Sequence, residues 1–202
     1  MATLTRKRKI TIGPADSGRR MSLADFDRAI AEPGYLYELG NGVIEVSEIP
    51  SIGHGMTVDA LRGMIEAYRA KRPEVITYVG GGSEAKSLIE SSQSERHPDL
   101  SIYCQLIPDV AQPWNLWVPE VVVEVVSESS RQRDYASKPD EYFEFGVKEY
   151  WIIDPAKNVV TIHHRIAGRF PKKAYKASQR YKTHVLPDFV LDIGKLLAAG
   201  KR

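Results

Sequence analysis

The stretch PEVVVEVVSESS, residues 119–130, constrains this chain more than any other. Five valines enclose one carboxylate, Glu124, before a polar loop begins at Ser127. β-Branched residues are stiff at χ1 and favour extended backbone, so the run reads as a core strand. Side chains alternate along a strand, which puts Val122, Glu124 and Val126 on one face and Val121, Val123 and Val125 on the other. A solvent-facing strand would be polar along its whole outer face, yet two of these three residues are valine. Glu124 is therefore expected near the strand's end, where apolar cover gives way to the loop. Burying an ionised carboxylate there costs several kcal/mol unless something pairs with it. An edge-strand glutamate paired with a surface lysine would answer this structurally; a reactive site at a strand end would answer it chemically.

The chain of 202 residues, with a 43 % apolar fraction, suffices for one sizeable α/β domain. No apolar stretch approaches membrane-spanning length. The start, MATLTRKRKITIG, carries basic residues but no following apolar segment of a secretory signal. The single cysteine, Cys104, can form no internal disulfide and reads as a small buried hydrophobe. A soluble cytoplasmic protein without a membrane partner is the expectation. The net charge of +2 hides an asymmetry. Residues 155–202 hold 11 Lys/Arg against only Asp188 and Asp192, whereas residues 1–154 hold 17 basic and 24 acidic groups. Such polarity marks either a surface that faces a polyanion or a merely solvated face.

Residues 1–21 read as a flexible basic N-terminal tail and residues 22–202 as a single domain. Ser22-Leu23-Ala24-Asp25 resembles a capping box, with Leu23, Phe26 and Ile30 at helical spacing, so a first helix is expected to run as far as Pro33-Gly34. YLYELGNGVIEVSEIP alternates around Gly40-Asn41-Gly42 and predicts a hairpin. A second helix is predicted from about Gly53 to Ala70, before Pro73. EVITYVGGG, PDLSIYCQLI, KEYWIIDP, VVTIHHRIAG and RYKTHVL read as further strands. SEAKSLIESSQSERH reads as a mobile or tightly turned segment, and ESSRQRDYASK as a loop before a short helix around 139–145, closed by Gly146. IGKLLAAG closes the chain as a last helical turn. Strands and helices mix without strict βαβ alternation, so the fold class is α/β with α+β mixing, a mixed sheet flanked by helices.

Asp99 directly follows a proline at the start of a strand, 25 residues before Glu124. If the two strands are neighbours, the carboxylates converge; side by side they repel unless a cation sits between them. Oxygen-only ligands with open positions suit Mg²⁺ or Mn²⁺. Pro-Asp is also an ordinary turn dipeptide. Lys138, 14 residues past Glu124, could reach back over the pair, or be an ordinary exposed lysine. Because Pro139 disfavours helical backbone at the residue before it, Lys138 is expected at or outside the N-cap, with Pro139 at N1. Glu38 and His54 are candidates for supporting roles; each could instead be structural. His54 is expected to face inward at a helix N-terminus, which keeps its imidazole neutral and able to bond a phosphate or water. His163 and His164 point to opposite faces of a strand and cannot ligate one metal together. Tyr142 is expected to pack rather than react.

YELGNGVIEVSEIPSIGH, HPDLSIY, VVVEVVSESSRQRDYASKPDEYFEFGVKEYWIIDP and VLPDFVLDIGKLL resemble the Uma-two family of bacterial endonuclease-like proteins, also called a domain of unknown function. Through it the chain resembles the PD-(D/E)XK restriction-endonuclease-like superfamily, over residues 22–197. The resemblance implies a restriction-endonuclease-like mixed sheet, with Asp99 and Glu124 as metal ligands and Lys138 in a displaced lysine role. The usual lysine stands two residues after the glutamate, and here that position is Val126. The implied activity is metal-dependent hydrolysis of DNA phosphodiester bonds, with Mg²⁺ or Mn²⁺ held by Asp99, Glu124 and the Val125 carbonyl, and with two chains pairing as a homodimer by analogy. Two other readings remain open: a catalytically inactive nuclease-fold protein serving as a nucleic-acid-binding or assembly module, and a hydrolase of small phosphorylated molecules.

Overall fold

In the computed structural model, which describes residues 9–201, the chain opens with a short parallel pair, β1 (Thr11–Ile12) and β2 (Ile30–Ala31), flanking α1 (Leu23–Phe26). The hairpin signal becomes β3 (Tyr35–Gly40) and β4 (Val43–Glu48). Asn41 and Gly42 both take positive φ at its tip, as a tight two-residue hairpin loop requires. Then follow α2 (Ile52–Arg69), capped by Ser51, and β5 (Tyr78–Gly80), β6 (Ser87–Ile89), β7 (Ser94–Arg96), β8 (Leu100–Tyr103) and β9 (Val121–Val125). Two short helices, α3 (Arg131–Ala136) and α4 (Lys138–Phe145), lead to β10 (Glu149–Asp154), β11 (Val159–His164), β12 (Lys172–Lys176), β13 (Arg180–Lys182), β14 (Val190–Asp192) and α5 (Ile193–Ala199).

The main sheet has the order β12-β11-β10-β9-β8-β5. β9 and β10 run parallel at its centre, and the other neighbours are antiparallel. A central strand buried on both faces needs an unbroken apolar run, which is why the valines do not alternate with polar residues. Val121, Val123 and Val125 pack with Leu61 and Ile65 of α2 and Leu196 of α5. Val122 and Val126 pack on the opposite side with Tyr142, Tyr150 and Ile152. A second sheet, β4-β3-β7-β6, stands against α4. Arg96 of β7, fully buried, ties the two layers: its Nε and Nη2 donate to both oxygens of Glu141 on α4, at 2.7 and 2.8 Å.

Several expectations are corrected. The tail expected over residues 1–21 is structured from β1 onward: Ile12 is buried, and Gly18 N–H donates to Ile44 C=O. Residues 1–8 lie outside the described residues. The first helix stops at Phe26, because Ile30–Ala31 is claimed by strand pairing with Thr11–Ile12. The segment read as mobile holds β6 and β7, with Ser87, Ser94, Glu95 and Arg96 all buried. The loop read before the short helix holds α3. Lys138 is itself the first residue of α4, with Ser137 as N-cap. Ser137 already has right-handed helical backbone, so α3 runs almost directly into α4 and carries Lys138 inward.

Candidate active site

β8 and β9 pair with Leu100 opposite Val123, so the same register sets Asp99 across from Glu124 at the end of β9. Directly opposed residues of an antiparallel pair have Cβ atoms about 5 Å apart. Asp99 lies one residue outside β8, and its Oδ2 accepts the Val125 N–H at 2.7 Å. His54 Nε2, from the first turn of α2, lies 3.1 Å from the same oxygen. Gly81 makes this placement possible. A Cβ there would stand 2.0 Å from the Asp99 carbonyl oxygen.

Glu124 is buried, and its Oε1 accepts from Lys138 Nζ at 2.9 Å and from the Tyr142 hydroxyl at 2.7 Å. Lys138 Nζ also lies 3.2 Å from Glu38 Oε2 and 3.3 Å from Asp134 Oδ1. One ammonium thus faces three carboxylates. Glu38 reaches the cluster from β3, where its Oε1 accepts the His97 N–H at 2.9 Å and its Oε2 accepts from Arg96 at 3.3 Å. A cleft of about 1230 Å³ opens above, lined by Glu38, His54, Asp99, Arg133 and Lys138. Glu124 and Asp134 lie beneath that surface.

Burial pushes the Glu124 carboxyl up, and the neighbouring Asp134, Asp99 and Glu38 charges push the same way, so that Lys138 offsets only part and the group lies at about 8. Burial also acts on Glu38, but Lys138, Arg96 and the His97 N–H outweigh it and bring that carboxyl down to about 2. Asp134 is raised by burial despite Lys138 and the Ser130 hydroxyl. Burial works against the Lys138 charge, yet its three carboxylates more than compensate and hold it as an ammonium. His54 corrects an expectation: burial lowers its pKa, but the Asp99 carboxylate raises it further, so the net shift favours the protonated ring. Its Nε2 serves Asp99 rather than a ligand.

Asp99 Oδ1 and Glu124 Oε2 accept no hydrogen bond among the described residues. Among those residues no three His, Cys, Asp or Glu side chains form a metal cage. The hard-oxygen pair suits an ion such as Mg²⁺, which keeps several waters and takes one or two carboxylates together with substrate phosphate. Asp99, Glu124, Lys138, Glu38 and His54 all converge on this end of the sheet. His163 and His164 do not: His163 packs on Tyr150 and Phe170, and His164 stacks on His184. Asp134 and Arg96 went unread in the sequence, and Tyr142 was assigned to packing. Asp134 and Tyr142 stand four residues before and after Lys138, the spacing that shares a helical face. That signal was present, but it identifies a cluster only once α3 and α4 are known to be nearly continuous.

No curated protein matches the chain. A crystal structure described as a putative nuclease belonging to DUF820, from Anabaena variabilis ATCC 29413, matches with a TM-score of 0.74 at 16 % identity, covering 89 % of this chain and 99 % of that one. At that identity the likeness is one of fold. No helix among the described residues is long and apolar enough to cross a membrane. The Uma2 family model, described as "Putative restriction endonuclease", matches residues 23–194, and over that span the chain belongs to the Uma2 family.

Proposed function

We propose that this protein is a metal-dependent endonuclease that hydrolyses DNA phosphodiester bonds at a PD-(D/E)XK-type site built from Asp99, Glu124 and Lys138. The observation that carries this reading is the Lys138 ammonium seated 2.9 Å from Glu124, on a strand whose neighbour contributes Asp99. Val126 packs into the apolar cluster below α4, so the amine arrives from the helix instead of the strand. Mg²⁺ or Mn²⁺ held by Asp99 and Glu124 would supply Lewis-acid polarisation of the phosphate and a bound water of lowered pKa. The chain's own groups do the rest. The Val125 N–H and His54 fix the Asp99 carboxylate, and the Tyr142 hydroxyl fixes Glu124. Lys138 donates to charge that develops on the phosphorane, with Glu38 and Asp134 aligning its amine.

The test is a nuclease assay on supercoiled and single-stranded DNA with Mg²⁺ or Mn²⁺, run beside Glu124→Gln and Lys138→Met. The expected result is metal-dependent cleavage that falls by at least about 10²-fold in both variants. Cleavage that persists in both, or that ignores chelator, would locate the activity elsewhere.

One observation favours a second reading, a nucleic-acid-binding or assembly module without catalysis. All three donors of Lys138 already face carboxylates, so a phosphate must displace one of them. Calorimetric titration with Mn²⁺ separates the two readings. Heat that disappears in Asp99→Asn supports the enzyme, and identical, absent heats in both proteins support the module.

A further inference from the structure

The cleft carries too little positive charge to gather a polyanion. Its lining contributes Glu38, Glu48, Asp99 and Glu128 against Arg133 and Lys138, and Lys138 is neutralised from below. Elsewhere in the first half of the chain, cations are consumed internally. Arg28, Arg62, Arg72 and Arg96 each have a carboxylate oxygen within 2.7 Å. A nucleic acid that reaches this site must draw its affinity from another surface.

β12 supplies one. Lys172, Lys173 and Lys176 are exposed on the edge strand of the main sheet, and none pairs with a carboxylate among the described residues. Lys173 lies over the Tyr175 ring, 5.2 Å from its centroid, and keeps its ammonium outward. Register ties this strand to the cleft. Pro155, Ala156 and Gly200 line the cleft rim, and the exposed Lys157 and Lys201 follow them directly in sequence. Lys201 Nζ donates to Asn158 Oδ1 at 3.1 Å, which holds both lysines at the β10–β11 turn. Lys176 pairs across from Val159, where that turn ends, and Lys172 pairs across from His163. The cations therefore start at the rim and continue down the strand, where Lys176 to Lys172 spans about 13 Å.

We infer that Lys157, Lys201 and the β12 lysines form a track that binds the sugar-phosphate backbone of the nucleic acid flanking the cleaved bond. In one respect this rests on the nuclease reading, that the polymer is a nucleic acid; it requires no chemistry at Glu124. Edge-strand lysines also guard sheets against edge-to-edge association, and a guard needs charge of either sign. A track needs positive charge. Replacing the three β12 lysines by glutamate therefore distinguishes the two roles, since the guard survives and the track does not.

The experiment measures binding of a fluorescent 20-base-pair duplex by anisotropy in chelator, over a salt series. Wild type is compared with Lys172→Ala/Lys173→Ala/Lys176→Ala and with the corresponding triple Glu variant, all checked for folding by circular dichroism. The expected slope of log K against log salt becomes shallower by about 2.7 in the triple Ala variant, at about 0.9 per lost phosphate contact. The triple Glu variant should bind at least about tenfold more weakly and remain soluble. Wild-type affinity in the triple Glu variant overturns the track. So does wild type that ignores the duplex and a single strand of the same length but binds anionic vesicles through these lysines. A track-dependent affinity in a protein that never cleaves leaves the track standing and removes the nuclease reading; cleavage with track-independent affinity does the reverse.

Discussion

Lys138 is the residue on which the site's charge balance turns. Three carboxylates surround its ammonium, and two of them, Glu124 and Asp134, are almost wholly buried. Breaking such an arrangement from one side leaves uncompensated buried charge, so Lys138→Met should lose about 3–5 kcal/mol of unfolding free energy in denaturant titration. A loss under about 1 kcal/mol, the scale of an exposed pair, would show that the carboxylates reorganise or take up protons freely. Glu124 gives a pH signature of definite sign. In the unfolded chain its carboxyl titrates near 4.5, and in the folded protein near 8. Between those values the folded state holds a proton that the unfolded state has released, so stability falls as pH rises. The melting temperature of wild type should therefore drop more steeply from pH 5 to pH 8 than that of Glu124→Gln, and parallel curves would refute the assignment. Asp99, Glu124 and Lys138 were legible in the sequence because a charge inside a valine run demands a partner. Asp134 was not, since RQRDYA carries no apolar periodicity to announce a helix.

At the scale of elements, the long or strongly apolar segments were legible and the short polar ones were not. The β3–β4 hairpin, α2, β9 and β10 follow from alternation, turn chemistry and β-branched runs. β6 and β7 are three residues each, too short for any period to register, and their burial depends on Arg96 finding Glu141, 45 residues away. Close approach between elements is similarly invisible in one sequence, as two glycines illustrate. Gly81 is extended, with φ of −167°, so alanine there meets no backbone strain but places its methyl 2.0 Å from the Asp99 carbonyl oxygen and 2.7 Å from the carbon. Gly81→Ala should displace Asp99 and weaken Mn²⁺ binding at least about tenfold, by the scale of losses at the supports of metal ligands. Gly146 presents the opposite case. Its φ of 105° closes α4, while a Cβ would stand 3.5 Å from Val118, an ordinary contact. Gly146→Ala should cost about 1–2 kcal/mol of stability and leave Mn²⁺ binding as in wild type. Equal effects of the two substitutions on metal binding would mean that Gly81 does not set the position of Asp99.

For the molecule as a whole, the site belongs to neither sheet alone. Asp99 and Glu124 come from the end of the main sheet, Lys138 from α4, and Glu38 from the smaller sheet. What joins the smaller sheet to α4 is chiefly ionic: Arg96 grips Glu141 with two parallel bonds and also contacts Glu45 and Glu38, and Asn41 Nδ2 donates to Glu141 Oε1 at 3.0 Å. A guanidinium presents a planar fork that an ammonium cannot reproduce. Arg96→Lys should keep the charge but lose the paired geometry, whereas Arg96→Met leaves Glu141, Glu45 and Glu38 without their shared cation and should cost about 3–5 kcal/mol. Because the apolar cluster of Leu39, Ile44 and Tyr37 lies within the smaller layer, its loosening need not unfold β9 and β10. Hydrogen exchange should then show β3, β4 and β7 amides losing protection in Arg96→Met while the main sheet keeps its own. Under the same conditions Glu38 leaves Lys138, so cleavage should fall at temperatures where the main sheet is still fully protected. Uniform loss of protection across both sheets would mean that the layers unfold as one unit, with Arg96 a contributor to global stability rather than the hinge on which the site is assembled.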